Sequence, residues 1–318
     1  MASKPKIAVS SCLLGKKVRY NGDAAEFRML NRVWSDHLEL IGVCPEVAIG
    51  MGVPRPTIRL VKGEERISLI NPKNGDDYTD KMLEYAEVQS DFLINSGISG
   101  FVFKKGSPSC GLERVKVYRG DNAHAEKGGA GMFAKVFTTL YPHIPVIEEG
   151  RLSDPLQAEH FLARVYFFNR WLDVGVEGWT ANKLMNFHSE HKLFILSRAP
   201  DAKSILGRVI AHGFENNEHP DLVALKYMTE AQNHLSTLTT PGRIAHVMER
   251  IVGRLPLMPS QDRKELIEVI HRYRKGLLSR SAALTLLSHH INRYGDLNAI
   301  NQNFIAPTPY KMGLMARF

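Results

Sequence analysis

The 318-residue chain has few cysteines and no long hydrophobic run. Its three cysteines are an odd number, and too few for the disulfide framework of a small secreted protein. No stretch approaches the roughly 20 consecutive apolar residues that cross a bilayer, and Met1 to Lys6 lack the apolar core of a secretion signal. These absences argue against a disulfide scaffold or a membrane protein. We expect a folded cytoplasmic protein with no membrane partner.

The composition of the chain is ordinary, but its charge is unevenly distributed. Hydrophobic residues make up 44% and charged residues 23%, which is typical of globular proteins, and the length predicts two domains. The net charge is +8. Residues 241–318 carry 12 Lys or Arg against five Asp or Glu, so almost all of the surplus lies in the last quarter of the chain. This asymmetry favours a polyanionic partner for the C-terminal part.

The first half of the chain alternates short β-rich runs with helical patterns. Strands are predicted at 7–10, 40–43, 98–103 and 144–147, with helices at 79–95 and 132–140 between them. This alternation is typical of a mostly parallel sheet covered by helices. The sequence therefore predicts an N-terminal α/β domain with a Rossmann-like sheet.

After about residue 150 the strand signal disappears and amphipathic helices follow one another. They are predicted at 157–172, 188–197, 204–212, 221–238, 243–253, 260–275 and 280–294. The predicted organisation is an α/β domain over 1–155, a linker helix over 156–180 and a helical, basic domain over 181–318.

The helix at 260–275 has an apolar stripe and a basic face. The stripe predicted to be buried consists of Leu266, Ile270, Tyr273 and Leu277. The face predicted to point to solvent consists of Arg263, Lys264, Arg272, Arg274 and Lys275. A solvated face and a phosphate-binding face are both open interpretations.

Each of the three cysteines follows a predicted strand. Cys12 comes after the first, Cys44 after the second and Cys110 after the third. The carboxyl ends of parallel strands lie at one edge of a sheet, where the loops build ligand sites, so the thiols are expected to converge there. Cysteine is often only a small buried hydrophobe. However, these three lie in loops rich in glycine, proline and serine, where packing does not require them.

Three thiolates can hold Zn²⁺ with a fourth position open, or a 4Fe-4S cluster with one iron that lacks a protein ligand. The spacing does not separate these two possibilities. The absence of histidine from the same loops favours iron–sulfur over zinc.

Four motifs in order resemble the TudS-like thiouracil desulfidases over roughly residues 5–150. They are SSCLLG at 10–15, RYNG at 19–22, VCPE at 43–46 with GVPR at 52–55, and KKGSPSCG at 104–111. The resemblance implies that Cys12, Cys44 and Cys110 bind a 4Fe-4S cluster whose open iron takes the sulfur of the base. It also implies that Glu46 and Ser107 act as acid and base. The second half resembles a helical domain of unknown function, and such fusions look like desulfidases of 4-thiouridine in tRNA.

The residues near the cysteines suit this chemistry. Glu46 can take a proton from an attacking water and then help to protonate the departing sulfur. Ser107 and Ser109 offer hydroxyl groups, and Lys105 or Lys104 can offset charge on the ring. The alternatives are structural: Glu46 can pair with Arg55, Ser107 can serve only as a turn former, and the lysines can be surface charges.

The predicted binding residues lie in both halves of the chain. Arg19, Tyr20 and Arg55 can bind phosphate or stack on a base, although Arg55 has a structural alternative. The glycines within 128–131 can cradle a phosphate before a helix. In the second half, phosphate contacts to tRNA are predicted for Arg272, Arg274 and Lys275.

Three functions therefore remain under comparison, and none requires an obligate protein partner. The first is an iron–sulfur desulfidase of 4-thiouridine in tRNA, and the second is a desulfidase of free thiouracil bases or nucleotides. The third is a non-enzymatic nucleic-acid-binding or sensor protein with a metal cluster. An open coordination position separates the third from the others, since a structural cluster normally has four protein ligands.

Overall fold

A computed structural model describes residues 3–119, 125–295, 303–312 and 314. The chain divides into two compact units between Ser153 and Asp154. Within the described ranges, no helix is both long enough and apolar enough to cross a membrane. The helix at the predicted linker spans Pro155–Gly175 and belongs to the second unit.

The first unit contains two four-stranded sheets. The strands are β1 (Lys6–Ser10), β2 (Glu39–Val43), β3 (Arg59–Lys62), β4 (Ile67–Ile70), β5 (Ile98–Phe103), β6 (Val115–Arg119), β7 (Ala125–Gly129) and β8 (Val146–Glu148). The first sheet has the order β2-β1-β5-β8, and all of its neighbours are parallel. This confirms the predicted α/β class and mostly parallel sheet. The fourth strand begins at Val146, two residues later than predicted.

The second sheet, of order β4-β3-β6-β7, was not predicted. It is mixed, because β3 pairs parallel with β6 while both outer pairs are antiparallel. Its strands lack the apolar runs that identify buried strands: β7 reads Ala-Glu-Lys-Gly-Gly and has no buried residue. Gly129 is required there by close contact, since a Cβ atom would lie 2.5 Å from Cγ2 of Val117.

Three α-helices lie among the described residues of the first unit. They are α1 (Pro45–Ala48), α2 (Thr79–Asn95) and α3 (Met132–Leu140), and the last two have the predicted bounds. Every residue of β5 is buried. Phe101 and Phe103 of β5 form an aromatic cluster with Phe133 and Phe137 of α3, with ring centroids 5.3–6.4 Å apart. This cluster fixes α3 against the sheet, and the loop after β5 is fixed with it.

Among its described residues, the second unit contains seven α-helices and no strand. They are α4 (Pro155–Gly175), α5 (Ala181–Arg198), α6 (Ala202–Glu215), α7 (Pro220–His234), α8 (Pro241–Val252), α9 (Ser260–Arg274) and α10 (Arg280–Tyr294). Side chains of Asp154, Thr180, Thr240 and Ser279 cap four of them. The predicted all-α class of this half is confirmed.

The predicted stripe on α9 is correct at three positions and wrong at the fourth. Leu266, Ile270 and Tyr273 are buried, whereas Leu277 is 66% exposed. Gly276 ends the helix with a φ of +74°, which favours glycine, and this turn carries Leu277 off the stripe.

The basic face of α9 also differs from the prediction at one residue. Arg263 is half-buried, because its guanidinium donates hydrogen bonds of 2.7 Å to the carbonyl oxygens of Val252 and Leu255. The other four predicted residues, Lys264, Arg272, Arg274 and Lys275, are exposed. Arg263 therefore joins α9 to the end of α8, while the exposed group remains available to a partner.

Candidate active site

The three cysteines line one cavity of about 280 Å³ in the first unit. Cys12 lies in a short 3-10 turn that continues β1, Cys44 lies between β2 and α1, and Cys110 follows β5. Since β1, β2 and β5 are neighbouring parallel strands, their carboxyl ends bring the three loops to one edge of the sheet. The structure thus places the three thiols together as the strand order predicts.

The loop that carries Cys110 is held rigidly. The Oγ of Ser107 accepts hydrogen bonds from the backbone N–H groups of Ser109, at 3.2 Å, and Cys110, at 3.1 Å. The first turn of α3 donates to the same loop, from Met132 N to Pro108 O at 2.9 Å and from Ala134 N to Ser109 O at 3.1 Å. This network positions the Cys110 thiol before any ligand binds.

Gly131 allows this close approach. A Cβ atom there would lie 2.5 Å from the carbonyl carbon of Ser109. The N–H of Gly131 donates to the carbonyl of Gly111 at 2.7 Å. Because the N–H groups that start α3 bond to loop carbonyls, the prediction of a phosphate cradle at 128–131 is wrong, and the glycine serves packing instead.

Glu46, in the first turn of α1, forms an ion pair with Arg55. The Nε and Nη2 of Arg55 both donate to Oε2 of Glu46, and Nη1 donates to the carbonyl oxygen of Val18 at 2.7 Å. Arg55 is 9% exposed although it lines the cavity. Its guanidinium therefore joins the Cys44 loop to the segment that follows Cys12.

The other oxygen of Glu46 accepts from two serines. The Oγ of Ser109 lies 2.9 Å from Oε1, and the Oγ of Ser107 lies 3.4 Å from it. Ser107 lines the cavity, whereas Ser109 is fully buried behind it. The carboxylate is held on both sides, and the contact with Ser107 is the longest of those that hold it.

Lys104 and Lys105 lie on the cavity wall and have different partners. The Nζ of Lys104 pairs with Oε1 of Glu149, and the backbone N–H of Lys105 donates to Oε2 of the same residue at 2.6 Å. Lys105 is exposed, and its ammonium has no ion-pair partner within the described ranges. Sequence reasoning missed Glu149. Its position directly after β8, at the same sheet edge as the cysteines, was the available signal.

The remaining predicted binding residues are divided between the units. Arg19 and Tyr20 line the cavity, with the Arg19 guanidinium 5.6 Å from the Tyr20 ring centroid and Tyr20 45% exposed. Arg272, Arg274 and Lys275 lie in the second unit, where they form an exposed group at the end of α9, here named the basic group.

All three thiols have raised pKa values. Burial raises the pKa of Cys12 from 9.0 to about 11, with nearby Lys104 acting in the opposite direction. Burial also raises the pKa of Cys44 and of Cys110. The free thiols are therefore protonated at neutral pH, so binding of a metal centre releases protons. Within the described residues, no three His, Cys, Asp or Glu side chains are grouped to hold a single metal ion.

Two comparisons identify the first unit. A sequence profile of the 2-thiouracil desulfurase family matches residues 7–149. A solved structure of a 4Fe-4S-dependent thiouracil desulfidase, TudS, is 32% identical in sequence, and the match covers 48% of this chain and 95% of that one, with a TM-score of 0.39. The first unit belongs to the 2-thiouracil desulfurase family. The family resemblance predicted from the four motifs is thereby confirmed.

Two further matches cover the first unit and the second unit separately. The uncharacterized protein YbbK of Bacillus subtilis strain 168 is 29% identical over 155 residues, 47% of this chain and 99% of its own length. Residues 192–309 match DUF1722, a family of unknown function. A desulfurase unit and a fused helical unit are therefore both supported by sequence, as the resemblance implied.

Proposed function

We propose that this protein is a 4Fe-4S-dependent desulfidase that removes sulfur from thiolated uracil, with 4-thiouridine in tRNA as its substrate. The observation that carries the proposal is one cavity lined by Cys12, Cys44, Cys110, Glu46 and Ser107. The family membership of the first unit and its similarity to a 4Fe-4S-dependent thiouracil desulfidase, TudS, support both the cluster and the thiouracil substrate. The basic charge of the second unit supports the tRNA substrate.

The donor set fits an iron–sulfur cluster. Thiolates are the usual ligands of such clusters, and three separate loops bring three sulfur atoms to the cavity. Cys12, Cys44 and Cys110 would hold the group, which leaves one iron without a protein ligand. When bound, the cluster supplies a soft, open metal that matches a thiocarbonyl sulfur better than a hard cation does. The sequence also allowed a zinc ion on the same three thiolates, but no three such side chains among the described residues are grouped to hold a single metal ion, which favours the larger cluster.

The residues around the cavity can move the proton that hydrolysis requires. Glu46 has one oxygen fixed by Arg55 and the other by Ser109, so its carboxylate has a set orientation. The long contact with Ser107 is the one that a water molecule can replace on the cavity side. Water held between Ser107 and Glu46 would donate a proton to the carboxylate as its oxygen bonds to the ring carbon. Glu46 would return that proton as the C–S bond breaks, so that the carbonyl forms and the sulfur leaves as hydrosulfide. The exposed ammonium of Lys105 would offset negative charge on the ring.

The size of the cavity is informative about how the substrate enters. About 280 Å³ is close to the lower limit of typical ligand pockets, which span roughly 300–1,000 Å³. Because Cys12, Cys44 and Cys110 line the same cavity, the cluster would take part of this volume, and a single base is the largest part of a tRNA that could enter beside it. A base stacked inside folded RNA must be pulled out first, which costs a few kcal/mol that contacts with the RNA backbone have to offset.

Two assays on one preparation test this function. The full-length protein is reconstituted anaerobically and incubated either with bulk tRNA that contains 4-thiouridine or with free 4-thiouracil. We expect loss of 4-thiouridine from the tRNA together with sulfide release. Turnover of the free base alone would favour the free-thiouracil alternative. A colored cluster with neither activity would favour a sensor or nucleic-acid-binding protein.

The basic group predicts a salt dependence that differs between the two substrates. Reversing Arg272, Arg274 and Lys275 to Glu should weaken tRNA binding, because each lost phosphate contact reduces the slope of log affinity against log salt by about 0.7–0.9. Three lost contacts should lower the slope by about 2–3. Turnover of free 4-thiouracil should stay unchanged, since the basic group lies in the second unit. Binding isotherms at several salt concentrations measure the slope.

A matched variant controls for net charge. Lys73, Lys81 and Lys127 are exposed lysines of the first unit that do not line the cavity. Reversing these three to Glu changes the net charge of the protein by the same amount. If both triple variants reduce the slope equally, overall charge and not a docking surface explains the effect. An unchanged slope in the variant of the basic group would reject it as the tRNA contact.

A further inference from the structure

A buried group of charged side chains in the second unit has more positive than negative charge. The Oε1 of Glu159, on α4, accepts from Nη2 of Arg198 at 2.5 Å and from Nη1 of Arg280 at 3.1 Å. Glu159 and Arg280 are each 5% exposed, and Arg198 is 1% exposed. Two guanidinium groups therefore share one carboxylate inside the protein.

Among the residues that the structure describes, the neighbouring side chains supply no second negative charge. His160 lies 3.4 Å from Nη1 of Arg198, and burial lowers its pKa to about 4, so it is neutral at pH 7. Arg164 adds a third guanidinium, which is half-buried and donates to the side-chain oxygen of Gln232 at 2.9 Å. The Nε atoms of Arg198 and Arg280 are buried and have no hydrogen-bond partner in the described part of the chain. Buried positive charge of this kind is costly unless an anion compensates it.

A cavity of about 390 Å³ adjoins this group. Arg280, Glu159 and His160 form part of its wall, and the rest is mainly apolar, with Leu156, Leu238, Ile244 and Leu278. All of these residues belong to the second unit. The cavity thus combines a cationic end with an apolar body.

The first turn of α10 adds hydrogen-bond donors at the cationic end. Ser279 caps this helix by accepting from the N–H of Ala282, at 3.3 Å. The N–H groups of Arg280 and Ser281 precede that bond and have no partner within the described ranges. Ser279 and Arg280 both line the cavity. The N-terminus of a helix carries a partial positive charge, so it attracts an anion, as the Arg280 guanidinium also does.

We propose that this cavity is a binding site for a small organic anion. A phosphate or carboxylate head would lie against Arg280 and the first turn of α10, and an apolar or aromatic body would fill the space between Leu238, Ile244 and Leu278. Arginine suits such heads because its planar donors match two oxygens at once. The site lies apart from the cysteine cavity in sequence and in unit, and it does not depend on the proposed desulfidase function.

Calorimetry on the full-length reconstituted protein tests the site. The probes are phenyl phosphate and benzoate, which have both parts of the ligand, and inorganic phosphate and phenol, which have one part each. We expect phenyl phosphate or benzoate to bind more tightly than either partial ligand. Replacing Arg280 by Met should weaken that binding by about 10- to 100-fold, the range for loss of hydrogen bonds to a charged group. The control Arg250→Met removes an exposed arginine of the same unit and should have no effect.

A second variant covers the possibility that Arg280→Met fails to fold. Leu278→Trp fills the cavity from its half-buried wall without changing a charge, and it should abolish binding while the melting temperature is kept. Absence of binding to the unaltered protein at millimolar probe would overturn the proposal, as would equal binding in Leu278→Trp. Displacement of the probe by tRNA that lacks 4-thiouridine would make the cavity part of an RNA surface, which also overturns a small-ligand site.

Discussion

Replacing Cys110 by serine is expected to reduce both iron content and desulfidase activity to background. Its thiol is the most buried of the three and is fixed by the Ser107 turn and by the start of α3. A serine hydroxyl has nearly the same shape, but it is a hard donor that iron–sulfur clusters do not favour. Iron and sulfide per chain, with visible absorbance, measure the result after anaerobic reconstitution. The unaltered protein should take up about four irons.

The same substitution at Cys12 or Cys44 should have the same result, since two thiolates hold a cluster too loosely. Far-UV circular dichroism of the metal-free proteins provides the control, because each variant should match the metal-free unaltered protein in helix content. A Cys110→Ser variant that retains four irons and full activity would remove Cys110 from the ligand set. Stoichiometric zinc without iron in the unaltered protein would instead assign the three thiolates to a zinc site.

The sequence was sufficient to predict where the cysteines meet. Each of Cys12, Cys44 and Cys110 follows an apolar strand, and the rule that loops gather at the carboxyl edge of a parallel sheet needs only the strand positions. β5 and α2 were predicted with their observed bounds because a continuous apolar run and a 3.6-residue period are strong local signals. The convergence of the thiols is therefore a consequence of topology and could be derived without coordinates.

Features that depend on long-range contacts could not be derived in this way. The second sheet consists of short, partly exposed strands. Their stability depends on pairing with neighbouring strands, which the residues of a single strand do not predict. Gly131 resembles a residue of a phosphate loop in sequence, but in the structure it permits contact with the backbone of Ser109. Likewise, the left-handed turn at Gly276 exposes Leu277, which periodicity assigned to the buried stripe.

Charge partners were the least predictable part of the candidate site. From the sequence, Glu46 could either move a proton in catalysis or form an ion pair with Arg55. Residue types alone do not separate these two roles, because a glutamate close to an arginine suits both. The structure shows the ion pair, and it also shows that Ser109 and Ser107 share the opposite oxygen. The ion pair does not remove the proposed proton transfer, since the side of the carboxylate near Ser107 faces the cavity. The ion pair does mean that a substitution of Glu46 needs a control variant at Arg55.

Replacing Glu46 by glutamine is expected to lower kcat by about 10²- to 10⁴-fold, the range for loss of a general base. The amide oxygen can still accept from Ser109, so iron content should be unchanged. A neutral amide is too weak a base to take a proton from water, whichever of its atoms faces the cavity. Single-turnover kinetics with free 4-thiouracil, together with iron analysis, separate this loss from loss of the cluster.

The glutamine also leaves Arg55 without its anionic partner, so a variant of Arg55 is the necessary control. Breaking a buried ion pair from either side costs roughly 3–5 kcal/mol, and Glu46→Gln and Arg55→Met should therefore lower the melting temperature by similar amounts. If Glu46 moves the proton, Arg55→Met should keep most of kcat, because the carboxylate remains beside Ser107. If Glu46 only anchors Arg55, the two variants should lose kcat equally. Full activity of a folded Glu46→Gln variant would show that the carboxylate has no catalytic role. The proton transfer would then be assigned to Ser107 or to water alone.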